Sequence, residues 1–179
     1  MAARDDIPTP DEAPFLLVNC GSRGAPNIYC KISPEDAGLV LLHKWQWTRG
    51  NEKNGALYAR AIDRTCTPVR QLKMHRLIVG APVGTHVDHI NHDTLDNRRC
   101  NLRIVTPQQN QANSRKIVIG SSAFKGVSWH GQANKWRAYI AINRRQSHLG
   151  LFDDEIEAAR AYDEAARARF GEYAHLNLA

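Results

Sequence analysis

The chain has 179 residues, 42% of them hydrophobic, with 24 Lys+Arg against 18 Asp+Glu and a formal charge of +6. That apolar content excludes a disordered chain, and the basic balance, with a pI near 9.4, favours a polyanionic partner, nucleic acid first. No apolar run is long enough to cross a bilayer and the start MAARDD lacks an apolar signal core, so a cytoplasmic chain without membrane contact is expected.

Residues 1–14 are polar and carry Pro8, Pro10 and Pro14, which predicts a flexible leader. A strand is expected at 27–32. The run Ser33-Pro34-Glu35-Asp36 then reads as a capped helix start, with Ala37, Val40, Leu41 and Leu42 on the helix it opens. Trp45 and Trp47 are assigned to packing, because a tryptophan pair in a small domain is core more often than a DNA contact. After a turn at 49–55, residues 56–62 alternate like a half-buried strand. His75 is read as packing or, at most, a phosphate contact. The chain up to 114 is therefore a small α+β module.

Within it, residues 86–114 are the most informative stretch. Val87 and Ile90 alternate with polar neighbours as in a short strand, the run 91–97 is rich in turn residues, and residues 102–105 are β-branched enough to form a second strand. Thr106-Pro107-Gln108-Gln109 carries both halves of a capping box with proline at the first helical position. The order is strand, loop, strand, helix, with Asp88-His89 on the first strand and Asn110 in the first turns of the helix expected to pack back on it.

The strings DHIN, DNRRCNLR and TPQQN resemble the HNH nuclease motif, specifically its homing-endonuclease branch found in phage and mobile elements. KMHRLI (73–78) upstream resembles the helix that leads into the hairpin there, and KWQW and YAR are similar to segments that precede it. The resemblance implies a ββα-metal unit spanning 84–114, with Asp88 and Asn110 as metal ligands, His89 as general base and Asn101 as the central asparagine that braces the loop. Oxygen donors of this kind suit Mg²⁺ or Mn²⁺ with waters and phosphate oxygens completing the shell. His92, Asp93 and Asp96 are expected as solvated loop residues, and Arg98, Arg99 and Arg103 as phosphate clamps. Cys20, Cys30, Cys66 and Cys100 contain no C-x-x-C pair, so idle or buried thiols are favoured over zinc; a Cys₄ site assembled from distant positions is the remaining zinc option.

Residues 115–122, RKIVIGSS, read as a linker. From 123 a second unit is expected: strands at 124–130, 136–142 and 146–152, then a helix opening at Asp154 and closing at Gly171. The period of two places Trp136, Ala138, Ile140 and Ile142 on the helix side and Arg137, Tyr139, Ala141 and Asn143 on an open face of a size that fits a DNA major groove. The strings FKGVSW, KWRAYI, HLGLF, EAARAYDEAA and the final HLN resemble the APETALA2/ethylene-response-factor DNA-binding domain. By that resemblance DNA contacts fall at Lys125, Ser128, His130, Tyr139, Ala141, Gln146 and His148, with Arg137, Arg144 and Arg145 adding charge. Plant members carry mostly Arg, Trp and Glu at the contact positions, so the resemblance carries the fold and not the target sequence.

The sequence thus predicts an α+β chain cut at a linker into a metal-dependent DNA endonuclease module and a three-stranded antiparallel sheet packed on one helix. Its partner is double-stranded DNA, it needs no small-molecule cofactor, and it is a monomer by default. The rival readings are a non-cutting DNA-binding regulator that retains the HNH scaffold and a protein that binds structured RNA through its basic sheet.

Overall fold

The computed structural model describes residues 13–21, 26–50, 55–115, 120–142 and 145–178. The chain divides into two units, Met1–Val105 and Thr106–Ala179. The expected leader thus lies almost wholly outside the described residues, as do positions 51–54 of the expected turn, 116–119 of the expected linker, and Asn143 and Arg144.

In the first unit, β1 (Leu16–Asn19) and β2 (Tyr29–Ile32) form an antiparallel hairpin. The Ser33 start yields a 3-10 turn, Pro34–Asp36, and a single helical turn, α1 (Ala37–Val40). Ser33 does not cap it: its hydroxyl instead accepts the Arg99 N–H at 3.0 Å, a partner 66 positions away. Leu41 and Leu42 therefore fall beyond the helix and are exposed. Strands β3 (Gln46–Arg49), β4 (Leu57–Asp63) and β5 (Arg70–Lys73) make an antiparallel sheet in sequence order, and α2 (Met74–Ile78) follows directly.

The core joins these pieces. Val18, Cys20, Cys30, Ile32, Val40, Trp45, Ala59, Ala61, Met74, Ile78 and Leu102 are buried together, with Trp47 packed against them. Trp45 is further fixed by donating its indole N–H to the Val40 carbonyl at 2.8 Å, the usual way a buried indole satisfies its polar end. The Cys20 and Cys30 sulfurs lie 3.1 Å apart as free thiols. Among the described residues no three or more His, Cys, Asp or Glu side chains gather as a metal set, so the distant Cys₄ option has no counterpart there. The unit ends in the hairpin β6 (His86–His89) and β7 (Leu102–Val105). Its connecting loop is anchored on β2, where Lys31 N–H donates to Leu95 O at 2.9 Å and Asn97 N–H to Lys31 O at 2.8 Å.

The second unit begins with α3 (Pro107–Asn113), one position after the Thr106 cap. The capping box is complete: Gln109 N–H donates to Thr106 Oγ1 at 3.2 Å and Thr106 N–H to Gln109 Oε1 at 2.9 Å. Strands β8 (Val127–His130), β9 (Lys135–Ile142) and β10 (Arg145–Phe152) form an antiparallel sheet with β9 central. The helix α4 (Glu155–Phe170) is capped by Asp154, which accepts from Ile156 N–H at 2.7 Å and Glu157 N–H at 3.1 Å. Small residues let α4 lie close: Ala158 and Ala159 pack with Val127 and Ala138, and Ala166 and Tyr162 with Ile140. Gly126, at φ 73°, passes so near the Tyr162 ring and the Tyr139 carbonyl that a Cβ would overlap both. Among the described residues no helix is long and apolar enough to cross a membrane.

Candidate active site and nucleic-acid interface

Strand β6 pairs with β7 so that Asp88 stands opposite Arg103 and His89 opposite Leu102. Both residues of the Asp-His pair are buried, at 7% and 6% exposure. Arg103 donates from Nε at 2.9 Å and Nη2 at 2.8 Å to Asp88 Oδ2, which fixes the carboxylate on the strand. The His89 ring sits in an aromatic setting, edge-on to His75 at 5.2 Å between centroids and tilted to Tyr58 at 6.3 Å. Burial pushes the His89 imidazole below its ordinary value, while the Asn97 side chain and the carboxylates of Asp88, Asp93 and Asp96 pull the other way. The net effect is a ring kept neutral at physiological pH, the form able to accept a proton. Burial, reinforced by the neighbouring His89, Lys73 and Arg76, holds His75 neutral as well, near 3.

Asn101 is fully buried and works as a brace. Its Oδ1 accepts the Asn91 N–H at 2.9 Å and its Nδ2 donates to the Asp96 carbonyl at 2.8 Å. Its own carbonyl accepts Ile90 N–H at 2.9 Å. One asparagine thus ties both ends of the loop leaving His89, the kind of outer support that keeps a functional imidazole in place.

The loop differs from the sequence expectation in its charges. Asp96 is 1% exposed, not solvated, and forms a two-pronged pair with Arg98, Nε to Oδ1 at 2.8 Å and Nη2 to Oδ2 at 2.6 Å. Arg98 is itself 3% exposed and also donates to Ala13 O at 2.8 Å, so it builds the scaffold where a phosphate clamp was expected. Arg99 grips the buried Asp36 with Nη2–Oδ1 at 2.6 Å, keeping a half-exposed guanidinium, and Arg103 is committed to Asp88. Asp93 takes the turn role expected of a loop aspartate, accepting Leu95 N–H at 3.0 Å. His92 has a positive φ of 65° and donates its N–H to His89 O at 3.0 Å.

The sequence reading missed Tyr58 as a neighbour of the site and gave His75 packing or, at most, a phosphate contact. The available signal was that both lie in the strings YAR and KMHRLI, whose likeness to HNH proteins was noted without a role for each side chain.

In the second unit Asn110 lies half-buried on α3, its N–H donating to Thr106 O at 3.0 Å. The register of the sheet puts Ser128 opposite Arg137, Tyr139 opposite His148 and Ala141 opposite Gln146, so these residues share the face away from α4. Arg137 donates from Nη2 to Ser128 Oγ at 3.2 Å and stacks 5.4 Å from the Tyr139 ring centroid. His130 Nδ1 accepts Ala133 N–H at 3.2 Å; Gln146, His148 and Ala141 are exposed. Arg145 opens β10 and is exposed, whereas Arg144 is outside the described residues. Lys125 departs from the expected contact set. Its ammonium, pushed down to about 8 by burial, is engaged by the end of α3.

Asp88 in the first unit offers a carboxylate and Asn110 in the second an amide oxygen, and hard donors of this kind suit Mg²⁺ or Mn²⁺ and not a thiolate-loving metal. Asp88 is held in one orientation by Arg103, so an ion there meets a fixed carboxylate whose negative charge is partly balanced. The donor chemistry fits.

Residues 73–112 match a family model described as HNH endonuclease. An uncharacterized HNH endonuclease of Acanthamoeba polyphaga mimivirus is 32% identical over 143 residues, covering 76% of this chain and 69% of that protein. Protein 3.8 of Escherichia phage T7 is 28% identical over 93 residues, 52% of this chain and 76% of the phage protein. APETALA2-like protein 2 of Oryza sativa subsp. indica is 49% identical over 55 residues, 30% of this chain but only 12% of the rice protein.

Proposed function

The chain belongs to the HNH endonuclease family, and we propose that it is a divalent-metal-dependent DNA endonuclease of the homing type, from a phage or other mobile element, that grips its DNA through the β8–β10 sheet. Asp88 and Asn110 would hold Mg²⁺ or Mn²⁺, and the ion, when bound, would neutralise charge on the scissile phosphate and the leaving 3′ oxygen. His89 takes the proton of the attacking water on its unprotonated ring nitrogen. Asn101 keeps the loop, and through it the ring, from moving as the phosphate enters. With one such centre per chain, a single-strand nick is the basic event.

The observation that carries this reading is a buried His89, biased to its neutral form, directly beside Asp88 on a strand braced by Asn101. For the second unit, support comes from the sheet face that carries half-buried Arg137 and Tyr139 beside exposed Gln146 and His148, and from the partial likeness to APETALA2-type proteins. Incubation with supercoiled plasmid in Mg²⁺, in Mn²⁺ and in EDTA, followed by mapping of the new ends, tests it. Nicked circles with 5′ phosphates in either metal and none in EDTA are expected. Cleavage that persists in EDTA would show that no ion is held at Asp88 and Asn110.

A further inference from the structure

The helix that carries Asn110 has only seven residues, well short of the about 12–15 at which an isolated helix becomes even marginally stable in water. Its order must come from its ends and its packing. The first turn is closed by the Thr106–Gln109 box. At the other end the last carbonyls have no helical N–H to accept, and groups from far along the chain take them. Lys125 Nζ donates to the carbonyls of Gln111 at 3.0 Å, Ala112 at 2.7 Å and Ser114 at 2.8 Å, and the His175 N–H donates to Ala112 O at 3.1 Å. An ammonium there also complements the negative end of the helix dipole.

Lys125 is itself fixed. Asn177 Oδ1 accepts its N–H at 2.7 Å and Asn177 Nδ2 donates to its carbonyl at 3.1 Å. Buried Asp163 on α4 accepts Asn177 N–H at 2.8 Å and Leu178 N–H at 2.9 Å. A continuous run of short bonds therefore leads from α4 through Asn177 and Lys125 to the end of α3, and α3 also packs on α4 and on the 3-10 turn Gly171–Tyr173.

We propose that Lys125 is a positioning residue of the nuclease: by clamping the C-terminal end of α3 it fixes Asn110. This rests on the reading of Asn110 as a metal ligand. It also separates two roles for one lysine, since a DNA contact and a helix clamp predict opposite kinetics.

The test uses full-length Lys125→Met and Lys125→Arg. Cleavage is measured at saturating DNA, and DNA affinity without divalent ion is measured by anisotropy over a salt series. A clamp predicts that Lys125→Met lowers the saturated rate by about 10–10²-fold, the scale of a displacement of an ångström or so, with metal-free affinity and salt slope unchanged. Lys125→Arg restores most of the rate. In an Asn110→Ala background Lys125→Met should have no further effect, since residues acting through one another are not additive. Faster amide exchange at 110–114 in the metal-free Lys125→Met protein is the readout independent of activity. Where the Met form does not fold, Lys125→Gln, which keeps a donor but no charge, replaces it, with a saturated rate below that of Lys125→Arg and metal-free affinity unchanged.

The inference is overturned by weaker binding with a salt slope flatter by about 0.9 at an unchanged saturated rate, which marks a phosphate contact. Unchanged rate together with unchanged exchange overturns it too, as does an undiminished effect in the Asn110→Ala background. Asn110→Ala alone keeps the two claims apart. If it leaves metal-dependent cleavage intact the ligand reading falls, and if it abolishes cleavage while Lys125→Met changes nothing, only the clamp falls.

Discussion

Charge is handled in opposite ways in the β6–β7 hairpin of the first unit and on the open sheet face of the second. Around the hairpin each arginine beside the motif is matched to a carboxylate: Arg98 to Asp96, Arg99 to Asp36 and Arg103 to Asp88. On the sheet face Gln146 and His148 are exposed, and Arg137 is engaged only with Ser128 and the Tyr139 ring among its described contacts. The first arrangement is that of a scaffold holding one imidazole and one carboxylate still; the second leaves polar groups available to a ligand. The contrast teaches that nearness to a catalytic motif does not make an arginine a phosphate clamp. Such a residue can be part of the structure that keeps the motif rigid.

The comparison can be broken or sharpened by substitution, taking the largest effect first. Asp88→Ala removes a proposed ligand, so Mg²⁺-stimulated nicking should fall to background on plasmid gels. Retained stimulation would move the metal elsewhere. Next comes the buried Asp96–Arg98 pair, where Arg98→Met leaves a carboxylate without its partner at 1% exposure. Breaking such a pair costs about 3–5 kcal/mol. Denaturant unfolding should register that loss while the salt slope of DNA binding, on protein still folded, stays put. A changed slope at unchanged stability would restore Arg98 as a phosphate contact.

The same pair sets a pH dependence. Burial raises the Asp96 carboxyl but Arg98 pulls it further down, so it ends below its ordinary value. Because the folded pKa is the lower one, the stabilisation is complete above the unfolded value of about 3.9 and drains away as pH falls through the folded value. Thermal melts from pH 6 downward should show Arg98→Met converging on wild type in acid, and a gap that persists undiminished would contradict the assignment. The smallest effect belongs to the sheet: Arg137→Ala should flatten the log–log salt slope of DNA binding by about 0.9 if it meets a phosphate. No change in slope would leave Arg137 a structural partner of Ser128 and Tyr139.

What was legible in the sequence follows the range of the interactions. The Thr106–Gln109 box, the Asp154 cap and the alternation of β9 depend on neighbours a few positions apart, and all three appear as read. The proposed hairpin around Asp88-His89 was legible for the same reason. Ser33 was misread because its hydroxyl is claimed by Arg99, and Asp36 likewise finds its partner 63 positions on. Strands β1, β3 and β5 were not anticipated; each is four residues long and gains its place by pairing, β1 with β2 and the other two with β4. The expected cut at 115–122 and the division found at Val105–Thr106 differ because Lys125 and His175 bind the end of α3, a tie that no local pattern announces.

The central claim, that His89 is the base of a metal-dependent DNA cleavage, is tested most directly by the single-turnover nicking rate of His89→Ala against wild type, with both proteins saturated with DNA in Mg²⁺. Loss of a general base predicts a rate lower by about 10²–10⁴-fold at the same DNA affinity. An unchanged rate at matched occupancy would contradict it.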